Sequence, residues 1–155
     1  ADITRFIKGD RYRSRLISKI MFGAYNKRIK NVRTSNDWLT RDETVVDEYN
    51  AGKLTTFLFT VNGYRGLMNM ILYVRKPRNI AKIPKNLPML MVSGLDDPVG
   101  EYGKGVYRAY NTYHGHIDDI DLRLFEDCRH ELCNELNKEE IYEEIYGWIM
   151  DHMNK

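Results

Sequence analysis

The sequence predicts an α/β fold, and three observations lead to this prediction. Up to about residue 78 the chain shows helical periodicity and no convincing strand. Residues 87–92 then form one continuous apolar run, which is typical of a strand buried on both faces of a parallel sheet. Residues 120–124 alternate apolar and charged side chains, as a strand at a sheet edge does. A helical pattern follows each of these two strands.

Three helices are predicted in the first half of the chain. Apolar residues at three- and four-residue spacing predict an amphipathic helix over 11–29. Thr40 and Glu43 have the spacing of a capping box, so a second helix is predicted directly after Thr40. A third is predicted over 62–75. Between the last two helices lies the run TTFLFT at 55–60, which we interpret as a loop that packs inward and lines a site.

The second half predicts a strand, a helix over 102–113, a second strand and a closing helix. The apolar residues of the closing helix, from Ile141 to Met153, recur at helical spacing. Two strands are too few for a sheet in which one strand is buried on both faces, because such a strand needs neighbours on either side. The pattern therefore predicts a sheet that is completed by strands outside this sequence.

Composition is that of a globular domain: 155 residues, of which 43% are apolar and 30% charged. No run approaches the roughly 20 apolar residues that span a bilayer, and residues 1–10 lack the apolar segment of a signal peptide. Cys128 and Cys133 have neither a zinc nor a redox spacing, so we interpret them as structural thiols of a reducing compartment. A membrane-spanning or disordered protein is not expected, and a cytoplasmic location is expected.

Charge is distributed unevenly along the chain. Residues 1–41 contain eleven Lys/Arg and three Asp, whereas residues 117–155 contain four Lys/Arg and twelve Asp/Glu. Clustered basic residues are the signature of phosphate binding in nucleic-acid partners. Here they alternate with a helical apolar stripe, which favours solvated helix faces, and no nucleic-acid partner is predicted.

Polar side chains follow both predicted strands at the point where each strand ends. SGLDDPVG places Asp96 and Asp97 after the first strand, and FEDCRHEL places His130 after the second. Ligands of α/β proteins bind at the carboxyl ends of strands, and a carboxylate that orients a histidine is two thirds of a serine-nucleophile triad. Either aspartate fits this role by spacing. His114 and His116 lack a third ligand, so no metal site is predicted.

Four segments resemble a known family: AYNKRIK (24–30), DWLTRD (37–42), LPMLMVSGLDDPVG (87–100) and RHELCNE (129–135). Through them the chain resembles the C-terminal half of α/β-hydrolase proteins of the monoacylglycerol lipase and lysophospholipase-like branch. The resemblance implies a mostly helical cap over residues 1–78. Residues 79–155 would then supply the last two strands and helices of a mostly parallel sheet. It also implies that Asp97 is the acid and His130 the histidine of the triad.

The function implied by the resemblance is cleavage of a small lipid-like carboxylic ester by a Ser-His-Asp mechanism, without a cofactor. The inner face of the cap would form the acyl pocket, for which the candidate substrate-binding residues are Phe22, Tyr25, Phe57, Phe59 and Met68. None of the serines, at 14, 18, 35 and 93, lies in a G-x-S-x-G frame. The nucleophile and the oxyanion-hole donors would belong to an N-terminal half of the same fold, so the chain alone is expected to be inactive.

A second class of function remains open. The chain could be a non-catalytic interaction module, or a subunit of a split protein that binds its missing half or a lipid. The apolar strand at 87–92 favours association, because an unpaired strand of this type pairs with another edge. Homodimers are an expected form of that association.

Overall fold

The computed structural model describes residues 2–153. Its α-helices are α1 (Asp2–Lys8), α2 (Arg15–Phe22), α3 (Glu43–Ala51), α4 (Val61–Val74), α5 (Pro77–Ile80), α6 (Lys104–His114) and α7 (Lys138–Met153). Its strands are β1 (Met89–Gly94) and β2 (Ile120–Phe125), and two 3-10 turns are Tyr25–Arg28 and Leu132–Asn134. The helices α1 to α5 all precede the first strand. β1, α6, β2 and α7 then follow in the predicted order. Among residues 2–153, no helix combines the length and the apolar character needed to cross a bilayer.

The helix predicted over 11–29 is much shorter in the structure. It begins after Ser14, whose side-chain oxygen accepts a hydrogen bond from the amide of Ile17 at 3.2 Å, and it ends at Gly23. A 3-10 turn follows it. The earlier helix α1 was not predicted, and it is closed by Gly9 at a φ of 84°, a left-handed conformation that glycine adopts without strain.

The second predicted helix is capped by a different residue. Asp42, not Thr40, is the N-cap of α3, and its Oδ1 accepts a hydrogen bond from the amide of Thr44 at 2.9 Å. The Thr40 hydroxyl instead donates to the carbonyl oxygen of Asn134 at 2.7 Å. A long-range contact therefore replaces the local capping box. The third predicted helix is α4, which begins and ends one residue earlier than predicted.

The sheet consists, within the described residues, of β1 and β2 paired in parallel from Met89↔Ile120 to Gly94↔Phe125. Residues 89–92 of β1 are half-buried, because the neighbouring strands that full burial requires are not among the described residues. A two-stranded sheet covers β1 on one edge only. α6 begins two residues later than predicted, because Glu101, Tyr102 and Gly103 all have positive φ and form a turn before it.

A buried apolar cluster lies at the end of the sheet where the strands terminate. Cys128, Leu132 and Ile141 form it, and Val92 and Phe125 pack against it. Because Cys128 lies two residues before His130 and Leu132 two residues after it, this cluster anchors the loop that follows β2. Cys128 is buried and Cys133 exposed, and both thiols are free.

Candidate active site

Asp97 lies in the turn that directly follows β1. Its carboxylate Oδ1 accepts a hydrogen bond from the amide of Val99 at 2.8 Å, and its carbonyl oxygen accepts one from the amide of Tyr102 at 2.8 Å. The residue is 6% exposed. These bonds fix a buried carboxylate in a turn made by the local sequence DDPVG. The neighbouring Asp96 is exposed to solvent.

His130 lies in the loop after β2, which crosses over the end of β1. Two backbone hydrogen bonds of 2.9 Å join the two loops, from the amide of Leu95 to the carbonyl of Phe125 and from the amide of Asp96 to the carbonyl of Cys128. Since parallel strands end at the same edge of a sheet, the two loops meet there. The side chain of His130 is 39% exposed, so one side of the ring is open.

The two side chains are joined by a hydrogen bond of 3.1 Å between His130 Nδ1 and Asp97 Oδ2. A carboxylate accepts hydrogen bonds only, so Nδ1 must be the donor and Nε2 is left for another partner. The hydrogen bond that Nδ1 donates to Asp97 raises the pKa of His130 above its ordinary value, against the opposing effect of partial burial. The arrangement can hold a neutral imidazole in one tautomer and stabilise the imidazolium that forms when Nε2 accepts a proton.

A row of aromatic rings leads away from His130. The Trp38 ring lies 5.2 Å from the His130 ring, and Tyr25 meets Trp38 edge-on at 4.9 Å. Phe22 continues the row against Tyr25 at 5.8 Å. Burial, and secondarily the Asp97 carboxylate, raise the pKa of the Tyr25 hydroxyl, so the phenol beside this site is neutral.

The row opens into a cleft of about 890 Å³. The cleft is lined by both apolar and polar side chains. The aromatic and aliphatic ones are Phe22, Trp38, Leu54, Phe57, Leu58, Phe59, Tyr64 and Leu67, and those with hydroxyl or amide groups include Ser18, Asn26, Ser35, Asn36, Tyr49, Asn50, Thr55 and Thr56. The segment 55–60 is irregular and contributes directly to this lining.

The candidate substrate-binding residues therefore occupy different places. Phe22, Phe57 and Phe59 line the cleft. Tyr25 is not part of the cleft lining but contacts two residues that are, Phe22 and Trp38. Met68 is 41% exposed and is not part of the cleft lining, where its neighbour Leu67 is found instead.

Ser93 is the serine nearest in sequence to the paired residues, and it is buried. Its hydroxyl donates to the carbonyl oxygen of Gly94 at 3.3 Å, and it is 6% exposed. A nucleophile must reach substrate, so this serine is placed as a structural residue at the strand end.

Other residues around His130 had no signal in the sequence beyond their presence in the resembling segments. Trp38 is one, because no local pattern around it predicts a contact with a histidine 92 positions later. Arg41 and Glu135 are others: they form an ion pair at 2.9 Å beneath the His130 loop. Only the fold brings these residues together.

One group in the described part of the chain has metal-ligand chemistry: Asp119, Asp121 and His152. Asp121 accepts a hydrogen bond from the indole of Trp148 at 2.8 Å, and His152 lies 3.4 Å from Asp119. The group flanks the start of β2, whereas Asp97 and His130 follow the strand ends. Of the histidines considered earlier, His116 Nε2 contacts the carbonyl oxygen of Ile83 at 2.7 Å and His114 packs against Tyr110.

Solved structures with the same fold come from enzymes. A thermostable carboxyl esterase from Bacillus coagulans, solved in complex with glycerol, superposes with a TM-score of 0.82 at 21% identity over 99% of this chain and 49% of its own. A lipase in an open form superposes with a TM-score of 0.83 at 20% identity over 97% of this chain and 49% of its own. At these identities the likeness establishes the α/β-hydrolase fold alone. The chain spans about half the length of these proteins.

Sequence comparison gives the family. No curated protein matches the chain significantly. Residues 6–137, however, match the profile of the family described as serine aminopeptidase, S33. The matched range includes both Asp97 and His130. The match covers most of the chain, and the architecture agrees with it. The chain therefore belongs to the S33 serine aminopeptidase family of α/β-hydrolases.

Proposed function

We propose that the whole protein cleaves carboxylic esters by a Ser-His-Asp mechanism, with His130 as general base and Asp97 as its orienting acid. The observation that supports this most directly is the Nδ1–Oδ2 hydrogen bond of 3.1 Å at the strand ends, which leaves Nε2 of a partly exposed ring for another partner. An exposed imidazole bonded to a buried carboxylate beside an aromatic cleft is the arrangement that proton transfer to and from an acyl substrate requires.

In this mechanism His130 Nε2 takes the proton of a serine hydroxyl as the oxygen attacks the ester carbonyl. His130 then returns that proton to the leaving alcohol, and Asp97 stabilises the imidazolium in between. The acyl-enzyme is hydrolysed by a water molecule that His130 activates in the same way. Because no serine of this sequence lies in a G-x-S-x-G frame, the nucleophile and the oxyanion-hole donors are assigned to the N-terminal half of the same fold.

The cleft supports a lipid-like ester as substrate, of monoacylglycerol or lysophospholipid type. Aromatic side chains line it next to His130, and a volume of about 890 Å³ lies within the range of small-molecule pockets. An acyl chain would bury its surface against Phe22, Phe57 and Phe59, while the amide and hydroxyl side chains meet polar atoms. In the same proposal residues 1–78 are the cap and residues 79–155 are the C-terminal part of the core.

The test is a complementation experiment on p-nitrophenyl esters of increasing acyl length. The 155-residue chain alone should show no turnover above the buffer, because the serine and the oxyanion hole provide most of the catalysis. Addition of the N-terminal half should restore turnover, with kcat/KM rising from acetate to octanoate. Robust hydrolysis by this chain alone, unaffected by His130→Ala, would overturn the assignment.

The pH dependence of the restored enzyme gives a separate prediction. Only neutral His130 can act as base, and its hydrogen bond to Asp97 raises its pKa, so the acidic limb of kcat/KM should lie above the ordinary histidine value of about 6.5. In Asp97→Asn the charge is gone, and the limb should move to lower pH. The exposed neighbour supplies the matched control: Asp96→Asn should leave the limb in place. The role of Asp97 is wrong if the two variants have the same profile as the parent.

The two-stranded sheet supports the alternative function, a non-catalytic module that associates through its strand edge. Labelling the natural protein with a fluorophosphonate discriminates the two. A labelled serine outside these residues supports the hydrolase, whereas an unlabelled protein that forms stable complexes or dimers supports the interaction module.

A further inference from the structure

The loop containing His130 is bonded to a distant segment, residues 37–41. The amide of Glu131 donates to the carbonyl oxygen of Leu39 at 2.7 Å. The guanidinium of Arg129 donates to two carbonyl oxygens of the same segment, at 2.7 and 2.9 Å. Both chain neighbours of His130 are therefore fixed by residues about 90 positions earlier. The segment also contains Trp38, whose ring packs against the imidazole.

A buried carboxylate lies at the centre of this contact. The side chain of Glu135 is fully buried and accepts hydrogen bonds from Arg41 Nε at 2.9 Å and from the backbone amide of Arg129 at 2.7 Å. A buried charge is costly unless it is paired and hydrogen-bonded, and here it is both. Arg41 also donates to Asn137 Oδ1 at 2.6 Å, so the guanidinium spans from the segment to the start of α7.

Beneath the carboxylate, the loop is anchored by apolar packing. Cys128 and Leu132 are buried against Ile141 of α7. Their packing fixes the two ends of the loop. The backbone between these ends, which includes His130, is fixed by polar contacts. Those contacts come from Glu135 and from the 37–41 segment that Arg41 attaches.

We propose that Glu135 and Arg41 act together as positioning residues for His130. Their ion pair locks residues 37–41 onto the loop, and the loop backbone then sets the imidazole where Nδ1 meets Asp97. Their action passes through the backbone of Arg129 and Glu131. The kinetic consequence rests on the proposed function, whereas the structural consequence for the His130 ring does not.

The test is Glu135→Gln, which keeps the shape and one acceptor oxygen but has no negative charge to form an ion pair with Arg41. In the 155-residue chain, the ring ¹⁵N shifts of His130 at high pH report which nitrogen bears the proton. We expect the Nδ1–H form in the parent and a mixture rich in Nε2–H in the variant, with unchanged far-ultraviolet circular dichroism. In the complemented enzyme, kcat should fall about 10²-fold with KM near the parent value, as for a misplaced catalytic group.

A matched control is Glu144→Gln, which breaks an exposed ion pair with Arg123 at 2.8 Å and should change neither the ¹⁵N shifts nor kcat. If the two positioning residues act as a unit, Arg41→Gln combined with Glu135→Gln should lower kcat no further than Glu135→Gln alone.

The proposal is overturned if folded Glu135→Gln retains the Nδ1–H form of His130. Should that variant fail to fold, the double variant Arg41→Gln with Glu135→Gln gives the same comparison, because it removes the ion pair and leaves no unpaired buried charge. A shift toward Nε2–H in the double variant supports positioning by the pair, and an unchanged ring overturns it. If the complemented parent hydrolyses no ester, the proposed function fails, while the ¹⁵N shifts still decide the positioning.

Discussion

Replacing His130 with alanine should lower kcat of the complemented enzyme by about 10⁴- to 10⁶-fold, the range found when the base of a serine triad is removed. The physical reason is that the hydrogen bond of 3.1 Å between Nδ1 and Asp97 leaves Nε2 unprotonated, so that Nε2 can accept the proton of the serine hydroxyl. Without it the serine hydroxyl stays protonated during attack. The measurement is single-turnover hydrolysis of a p-nitrophenyl ester of medium acyl length.

Two comparisons make the prediction for His130 specific. His114→Ala removes an imidazole that packs against Tyr110, outside the candidate site, and should leave kcat near the parent value. Asp97→Asn combined with His130→Ala should be no slower than His130→Ala alone, because an orienting acid has no effect without its base. A loss of less than tenfold in His130→Ala, or additive losses in the double variant, would contradict the assigned roles.

The meeting of His130 with one of the two aspartates at 96 and 97 could be predicted from the sequence because it depends on one rule, whereas the choice of Asp97 came from the family resemblance. Two parallel strands end at the same edge of their sheet, so residues directly after them are neighbours whatever the chain between them does. β1 and β2 were recognisable from local patterns, an apolar run and a strict alternation. The limits of the helices depended on capping residues that the sequence contains but that the apolar periodicity does not reveal. Ser14 and Gly23, for example, bound α2 as a helix cap and a helix end.

Contacts across the chain could not be predicted in this way. Thr40 illustrates the reason, since its spacing to Glu43 fits a capping box while its hydroxyl is used on Asn134. The Arg41–Glu135 pair likewise joins residues 94 positions apart, and neither has a local pattern that names the other. Such contacts are set by how the first half of the chain packs on the second. Local periodicity contains no information about that packing.

Gly94→Ala should be the most destabilising single-methyl change at the site, lowering the free energy of unfolding by more than about 4 kcal/mol. A Cβ at this position would lie 2.0 Å from the carbonyl oxygen of Cys128 and 2.4 Å from that of Arg129. Both are backbone atoms, and the Cys128 carbonyl is held by the amide of Asp96 at 2.9 Å, so neither can move without separating the two loops. Urea unfolding of the 155-residue chain, followed by circular dichroism, measures the change.

Glycines elsewhere in the chain provide controls of opposite sign. Gly66 in α4 and Gly147 in α7 have no atom within 4 Å of an added Cβ, so alanine there should stabilise by about 0.5–1 kcal/mol through helix propensity. If Gly94→Ala fails to fold, the controls show that the loss is not a general response to a methyl group. If the free energy of unfolding of Gly94→Ala lies within about 1 kcal/mol of the parent value, the loop that contains His130 does not cross the end of β1 as closely as described. The register of Asp97 against His130 would then need another explanation, because the close approach at Gly94 is what allows the two loops to meet.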